Sequence, residues 1–423
     1  MHNYKLVLSV LALLLATAFS FGQNSTNSPY TRFGFGQISD NNSGDQRAMG
    51  GVSLGLRSPS SINVANPASY SSVDSLSFMF DVGMSGLMSM FSDGDGKKRT
   101  TFNGNLEYIT MQFPIGKFLG ASAGILPYSF SGYDFEDTQT GYQLDPSIEN
   151  DTTNVTRTYY GQGGISQVYA GLSIKLFDHV ALGANAYYMF GNSTNTRHIS
   201  FSHNSSYSYQ ENRINVSDFR FRYGAQFYNT FAKKHKVSLG VIFEPQKKLN
   251  AKAITSTASV ISSKIISSST DTLSGNQFDL PTVYGAGLAY TYDNRLTLGL
   301  DVSMQGWKEA KFFGQTDTLA SSSKISLGAE YIPDPTGRKF FDHVRYRAGV
   351  SISDSYYQVN GTTLPKNIGV TLGVGIPLPQ AKTLLNASIE YGKIGSKNLM
   401  NENYFKFTFS ATINELWFFK RKL

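Results

Sequence analysis

From about residue 71 onward, stretches of alternating apolar and polar residues are separated by gaps of two kinds. The short gaps carry tight-turn chemistry: Pro114–Lys117, Phe177–Val180, Ala232–Lys236, Asp293–Arg295 and Pro377–Lys382. The long gaps, Phe135–Gln162, Asn192–Asn215 and Lys252–Asn276, are polar and rich in Ser, Asn, Gly and Thr. Alternation with a period of two sends one residue set to each face of a strand. Short turns at one end and long loops at the other are the punctuation of an outer-membrane β-barrel, with its short turns in the periplasm. The apolar face then meets lipid and needs no protein core behind it.

The alternation predicts about fourteen strands, near 72–91, 99–113, 118–134, 163–177, 180–200, 215–231, 237–252, 277–292, 295–313, 321–332, 343–355, 364–377, 382–396 and 402–418. It is clearest in the second half. Leu296, Leu298, Leu300, Val302 and Met304 share a face opposite Asp301, and Ile325, Leu327, Ala329 and Tyr331 oppose Lys324 and Glu330. Val344, Tyr346, Ala348, Val350 and Ile352 oppose Arg345 and Arg347; Leu385, Ala387, Ile389 and Tyr391 oppose Glu390; Phe405, Phe407 and Phe409 oppose Lys406. A charge on the lipid face near the bilayer midplane costs roughly 2–4 kcal/mol. The charged faces therefore point inward, which assigns Lys175, Arg220, Arg222, Asp301, Lys324, Glu330, Arg345, Arg347, Glu390 and Lys406 to the lumen. Such mixed-sign charge either binds a polar ligand or pairs across strands and with a plug, and pairing is the simpler reading. A soluble sandwich would need its polar face in water.

The fold class read from the sequence is thus all-β: a transmembrane antiparallel barrel of about fourteen strands with an N-terminal plug, or hatch. Residues 1–22 form a secretory signal, with Lys5 as the basic start, Leu6–Phe19 as the apolar run and Ser20-Phe21-Gly22 before cleavage at Gln23. Residues 23–70 are rich in Gly, Ser and Asn, contain Pro29, Pro59 and Pro67, and lack sustained alternation, which marks them as plug. Residues 71–423 are the barrel. No other segment approaches the ~18 continuous apolar residues of a membrane helix. Charged residues are only 16% and aromatic residues 13%, as a lipid-facing wall with aromatic girdles requires. The chain has no Cys, which suits an oxidising compartment and removes a lipid-anchored alternative. Its formal charge of +7 does not point to nucleic acid, because the cations gather at turns and at Lys420, Arg421 and Lys422, where anionic lipid headgroups or water meet them.

Ser28-Pro29-Tyr30-Thr31-Arg32-Phe33-Gly34, then Arg47-Ala48-Met49-Gly50-Gly51, then Asn66-Pro67-Ala68, form a glycine-rich segment that leads through an Asn-Pro-Ala triplet into a barrel. This resembles the long-chain fatty-acid transporter (FadL-like) family of outer-membrane proteins. The resemblance implies a fourteen-stranded wall, a hatch containing Asn66, Pro67 and Ala68, and inward passage of hydrophobic molecules with lateral release through a kinked third strand. That strand contains Pro127, Ser129 and Gly132; proline donates nothing to a ladder and glycine weakens one, so a bulge or gap is expected there. Two departures stand out: a basic tail follows the last aromatic residues, and the interior is more charged than an apolar tunnel needs.

The expected function is transport of hydrophobic or amphipathic, fatty-acid-like molecules across the outer membrane. The alternative is a non-transporting barrel that serves as a subunit or scaffold of a secretion or assembly complex. Outer-membrane lipid, lipopolysaccharide, a hydrophobic ligand and an envelope protein are the partners to expect; both termini should be periplasmic. No enzyme, cofactor or metal is expected. Gly51-Val52-Ser53-Leu54-Gly55 matches G-x-S-x-G without the helix, His or acid that pattern requires. His198 and His203 lack metal-ligand spacing. Asp93-Gly94-Asp95-Gly96 lacks the downstream Glu of a calcium loop and reads as a hairpin tip.

Overall fold

The computed structural model describes residues 25–93, 96–143, 152–202, 206–316, 318–359, 362–363, 366–378, 383–395 and 400–416. The expected signal, His203, Gly94, Asp95 and the basic tail lie outside them. Fourteen antiparallel strands close into a barrel: β1 (Ser77–Ser92), β2 (Lys98–Pro114), β3 (Leu119–Gln143), β4 (Thr152–Leu176), β5 (Val180–Phe201), β6 (Ser206–Phe231), β7 (His235–Glu244), β8 (Val283–Tyr292), β9 (Leu296–Gln305), β10 (Ser322–Tyr331), β11 (Arg345–Ser353), β12 (Asn367–Pro377), β13 (Leu384–Ile394) and β14 (Asn401–Leu416). Each pairs with its sequence neighbour, and β14 closes on β1 with Ser77 opposite Leu416.

The faces follow the alternation. Leu298, Leu300, Met304, Ile325, Leu327, Val350, Leu372 and Phe409 are exposed outward, whereas Asp301, Ser326, Arg347, Thr371, Asn386 and Thr408 are buried inward. That apolar outer belt over a polar interior makes this an outer-membrane barrel. At three short turns, two consecutive non-glycine residues take the left-handed conformation: Phe177 and Asp178, Ala232 and Lys233, Asp293 and Asn294. This matches the right-handed twist of the strands they join.

Three expected loops are corrected. Residues 135–143 and 152–162 continue β3 and β4, residues 192–201 and 206–215 continue β5 and β6, and most of 252–276 belongs to a hairpin of Ala251–Ile261 with Lys264–Leu273 that adds to the edge of β6. Outside the bilayer both strand faces are wet, so the apolar period that marks the wall is absent there. Several strand ends also differ: β7 stops at Glu244 and β8 starts at Val283, where 237–252 and 277–292 were expected. β1 starts at Ser77 because Pro67–Ser72 forms a 3-10 turn, and β9 stops at Gln305 before a 3-10 turn at Trp307.

Residues 25–72 run inside the barrel. They carry short elements only: 3-10 turns at Pro29–Arg32 and Pro67–Ser72, a two-residue strand at Gln37–Ile38, and a helical turn α1 (Gly44–Arg47) capped by Ser43 and Gln46. Their path is set by missing side chains on the wall. A Cβ on Gly240 would stand 1.8 Å from the Leu54 carbonyl oxygen, on Gly224 2.2 Å from Asn66, on Gly299 2.4 Å from Val52, and on Gly328 2.3 Å from the Met49 carbonyl oxygen. Gly299 pairs with Gly328, and Gly328 with Gly349, so the glycines form a track around the inner wall that takes the segment's main chain at Gly240, Gly328 and Gly349 and its side chains at Gly224 and Gly299.

Candidate functional site

Between β2 and β3 the wall is incomplete. β2 pairs with β1 along its length, and β3 with β4, but β2 and β3 pair only from Ile109–Pro114 to Gly120–Ile125. Beyond Ile125 the two strands part. The β3–β4 register slips between Pro127 and Ser129, leaving Tyr128 as a bulge. Pro127, Ser129 and Gly132 therefore all border the gap. Proline suits a strand edge that has lost its neighbour, since it has no N–H to leave unpaired.

The inner segment closes this gap. Gln37 and Ile38 pair with Phe130 and Ser129, taking the place β2 has vacated, and Ser39 N donates to the Tyr128 carbonyl at 2.8 Å. Thr31 Oγ1 accepts from Gly132 N at 3.1 Å and donates to Gly132 O at 3.0 Å. On the other side, Asn27 donates to Asn103 at 2.9 Å and Asn105 to the Ser25 carbonyl at 2.7 Å. Higher up, Arg99 spans the gap to the Asp134 carbonyl at 2.8 Å.

The Asn-Pro-Ala triplet anchors the end of the segment. Asn66 Nδ2 donates to Leu54 O at 2.8 Å and its Oδ1 caps Ala68 N at 3.1 Å; Pro67 occupies the first turn; the Ala68 carbonyl accepts from Ser173 of β4 at 2.8 Å. The charged residues assigned inward are spent on one another and on this segment. Arg220 and Arg222 both bind Glu244, Arg220 also reaches Gln167 at 2.8 Å and lies 4.2 Å above the Tyr187 ring, and Arg222 donates to the Ala65 carbonyl at 3.1 Å. Asp301 accepts from Ser53 N at 2.6 Å and Leu54 N at 2.8 Å. Arg347 bridges Glu330 and Asn386, each at 2.7 Å. Arg345 is 3.5 Å from Ser60 Oγ, and Glu390 accepts from Tyr404 at 2.8 Å. Lys324 pairs with Asp40. Lys175 differs: it sits at a short turn, half-buried, on Asp178.

Several inward acids were missed from sequence, among them Glu244, Glu107, Glu402 and Asp81. Glu244 continues the inward set of Ser238, Gly240 and Ile242, so its signal was present. Glu107, which holds Arg47 at 2.9 Å and Lys406 at 2.7 Å, was hidden by a bulge: Gly83 pairs with Tyr108 and Met84 with Leu106, so Glu107 and Tyr108 both turn inward. Ser53 of the G-x-S-x-G match serves as an Asp301 contact. His198 lies on β5 against Tyr207 at 5.0 Å. Among the described residues no group of three metal-ligating side chains is clustered.

The space left over is divided, and polar and apolar residues share its lining. Cavities of about 120, 130 and 160 Å³ meet around Ile38, Asp40 and Lys324. Above them, on the long-loop side, the mouth is packed with the protein's own aromatic residues: Trp307 stacks on Tyr356 at 4.6 Å, and Phe35 meets Phe312 edge-on at 5.2 Å. Tyr356 and Tyr357 both donate to the Gly36 carbonyl, and burial pushes both phenols up, so they stay neutral donors. On this loop Asp354 is held below the usual carboxylate range by the Ser323 hydroxyl and then by Lys366.

Among solved structures, the toluene transporter TodX of Pseudomonas putida matches with a TM-score of 0.59 at 11% identity, covering 90% of this chain and 100% of that one. The toluene transporter TbuX of Ralstonia pickettii matches with a TM-score of 0.59 at 12% identity, covering 88% and 98%. At such identity the likeness is one of fold, and the fold is the FadL-like one that residues 28–70 suggested. No curated protein matches the chain. The family model described as BamG matches residues 4–423, and the chain belongs to the BamG family.

Proposed function

We propose that this barrel is a non-transporting subunit or scaffold of an outer-membrane assembly or secretion complex. The observation that carries the reading is the filled interior. A conduit for hydrophobic molecules needs an apolar cavity, and ligand sites for small molecules usually enclose several hundred Å³. Here the mouth is occupied by Trp307, Phe312 and Tyr356, and the space below is broken into adjoining pockets of about 120, 130 and 160 Å³ that meet at the Lys324–Asp40 ion pair, a charged centre where an apolar tunnel would be needed. In this reading residues 23–70 are a permanent plug anchored at Asn66, Pro67 and Ala68. Arg220, Arg222, Asp301, Glu330, Arg345, Arg347 and Glu390 line the lumen to hold it, and the role involves no catalysis. Partners would be envelope proteins, with lipid and lipopolysaccharide around the belt. Purification from the native membrane in mild detergent, followed by mass spectrometry, tests it: a stoichiometric protein partner supports the scaffold, and a solitary barrel carrying a lipid-like molecule refutes it.

A second reading is favoured by the gap between β2 and β3. A hydrophobic or amphipathic molecule would enter from the loops and leave sideways past Pro127, Ser129 and Gly132 once Gln37–Ile38 detached. The fold shared with toluene transporters is in keeping with this route. Gly36, at φ +84° with its α-carbon facing the Phe130 carbonyl, is the place to jam the latch. Substituting Gly36→Val should change uptake of fatty-acid-like probes several-fold in cells; unchanged uptake of every probe would sink this reading.

A further inference from the structure

Above the bilayer, β3, β4, β5 and β6 extend as one antiparallel sheet, and the hairpin Ala251–Ile261/Lys264–Leu273 adds to it beside β6. The sheet's two edges differ. The β3 edge is covered by the chain itself up to Asp134, through Gln37–Ile38 and Arg99, and farther out it carries Glu136, Asp137 and a register break between Gln139 and Tyr142. At the other edge, Lys264–Leu273 pairs only with Ala251–Ile261 among the described residues, and every residue of that strand is exposed.

An open edge offers a row of unpaired N–H and C=O groups, and proteins normally blunt it with Pro, inward charges or bulges. Lys264-Ile265-Ile266-Ser267-Ser268-Ser269-Thr270-Asp271-Thr272-Leu273 has no Pro, charges only near its ends, and a single register break, at Ile266 beside the tip, so that Ser267–Leu273 runs regularly. The hairpin tip is also apolar and bare: Ile261 is 48% exposed, Ile265 63% and Ile266 58%. Lipid does not cover it. Tyr207, which pairs near this tip, stands about 40 Å along β6 above Phe219, the first exposed aromatic residue of the belt on that strand, at about 3.3 Å per residue. The lipid belt explains exposed apolar residues elsewhere on the wall, but not here.

We infer that Lys264–Leu273 is a docking edge to which an extended segment of another envelope protein adds as an antiparallel strand. This rests on the scaffold reading and names the surface that scaffold would use. Main-chain hydrogen bonds would supply affinity, as in other strand additions. Ile265 and Ile266 would gain apolar cover. The end charges ask for an acidic residue opposite Lys264 and a basic one opposite Asp271. A second copy is a poor mate, because every copy in one membrane presents this strand in the same sense relative to the bilayer and so cannot lie antiparallel to it.

The chain contains no Cys, so single cysteines introduced into the full-length protein report without background. Ser267→Cys and Ser269→Cys, each carrying a benzophenone maleimide, would be photolysed on whole cells. The expected result is an adduct to one protein other than this chain. It should fall at least tenfold when Ser268→Lys and Thr270→Lys blunt the edge, and severalfold with Ile265→Ser and Ile266→Ser, while the barrel keeps its heat-modifiable gel band. An adduct to a second copy, an adduct indifferent to the paired lysines, or no adduct overturns the proposal. A partner that still co-purifies at full stoichiometry with the lysine variant would refute the docking edge yet leave the scaffold reading standing. Absence of any partner from the unmodified barrel would refute both.

Discussion

Asp301→Ala should release the inner segment locally while leaving the wall closed. Asp301 is 6% exposed, and one of its oxygens accepts both Ser53 N at 2.6 Å and Leu54 N at 2.8 Å. Hydrogen bonds to an ionised group are worth about 1.5–3 kcal/mol each, and stranding their donors adds to the loss. A cavity of about 120 Å³, lined also by Asn42, Ser303 and Lys324, borders Asp301 and lets water take up part of the demand, so the lower end applies to each bond. The two together give about 3 kcal/mol, which at 1.4 kcal/mol per decade raises the open population of residues 52–56 about a hundredfold. Asp301→Asn keeps an oxygen but loses the charge and should cost about 1 kcal/mol, or about fivefold. Hydrogen exchange followed by mass spectrometry reads this directly, because exchange through local opening tracks its free energy. Peptides covering Ser53 and Leu54 should speed up in that order of variants, with β9 and β10 unchanged. If Asp301→Ala left these peptides within twofold of the parent, the segment would be held by packing against the glycine track and the carboxylate would be incidental. If the wall strands sped up equally, Asp301 would be a wall residue and no anchor.

Gly240→Val would push a side chain onto the Leu54 carbonyl, 1.8 Å from where its Cβ must lie. The barrel should still migrate as a folded band, but trypsin should now cut at Arg57, which is otherwise stacked 4.2 Å above Tyr228. Arg347→Met strands Glu330 and Asn386 and should lower the urea midpoint in vesicles by the equivalent of about 3 kcal/mol, the lower end for breaking a buried pair; adding Glu330→Met should recover part of it. Asp354 gives a pH signature. Its folded pKa lies below the ordinary Asp value, so its contribution is present above that value and is lost as the pH falls through the lowered one. Protection of the Tyr356 and Tyr357 amides should therefore persist at pH 5 and decline only in more acid solution; a decline centred on the ordinary Asp value or above would remove Ser323 and Lys366 as its cause.

The transmembrane wall was legible because a lipid belt enforces a period of two. Leu298, Leu300, Ile325, Leu327, Tyr346, Val350 and Ile389 could be placed outward from their spacing alone, and their charged neighbours inward. Legibility fails where that constraint ends. Above the bilayer, strands such as Lys264–Leu273 are mostly Ser and Thr with no apolar period, so they look like loop, and the left-handed Ser262–Ser263 turn has no glycine to announce it. It fails again at Glu107, where one bulged residue shifts the count. Pro127 was a readable sign of interrupted pairing, because a proline has few places in a closed ladder. What filled the interruption was not readable: the pairing of Gln37–Ile38 with Ser129 and Phe130 joins residues far apart in sequence by main-chain bonds that no side chain encodes.

The glycine track inverts the usual distribution of constraint between a core and what it holds. Wall and insert meet in part through the insert's carbonyls and amides, at Leu54 and Met49 above all, so a share of the fit does not depend on the insert's side chains, whereas each wall glycine is fixed by having nothing to replace it with. A search for the insert by its own residues would therefore lose it long before the groove that receives it had changed. The record of the path is written in the strands: homologues whose N-terminal segments have drifted beyond alignment should still be traceable by the ring of absent side chains opposite them.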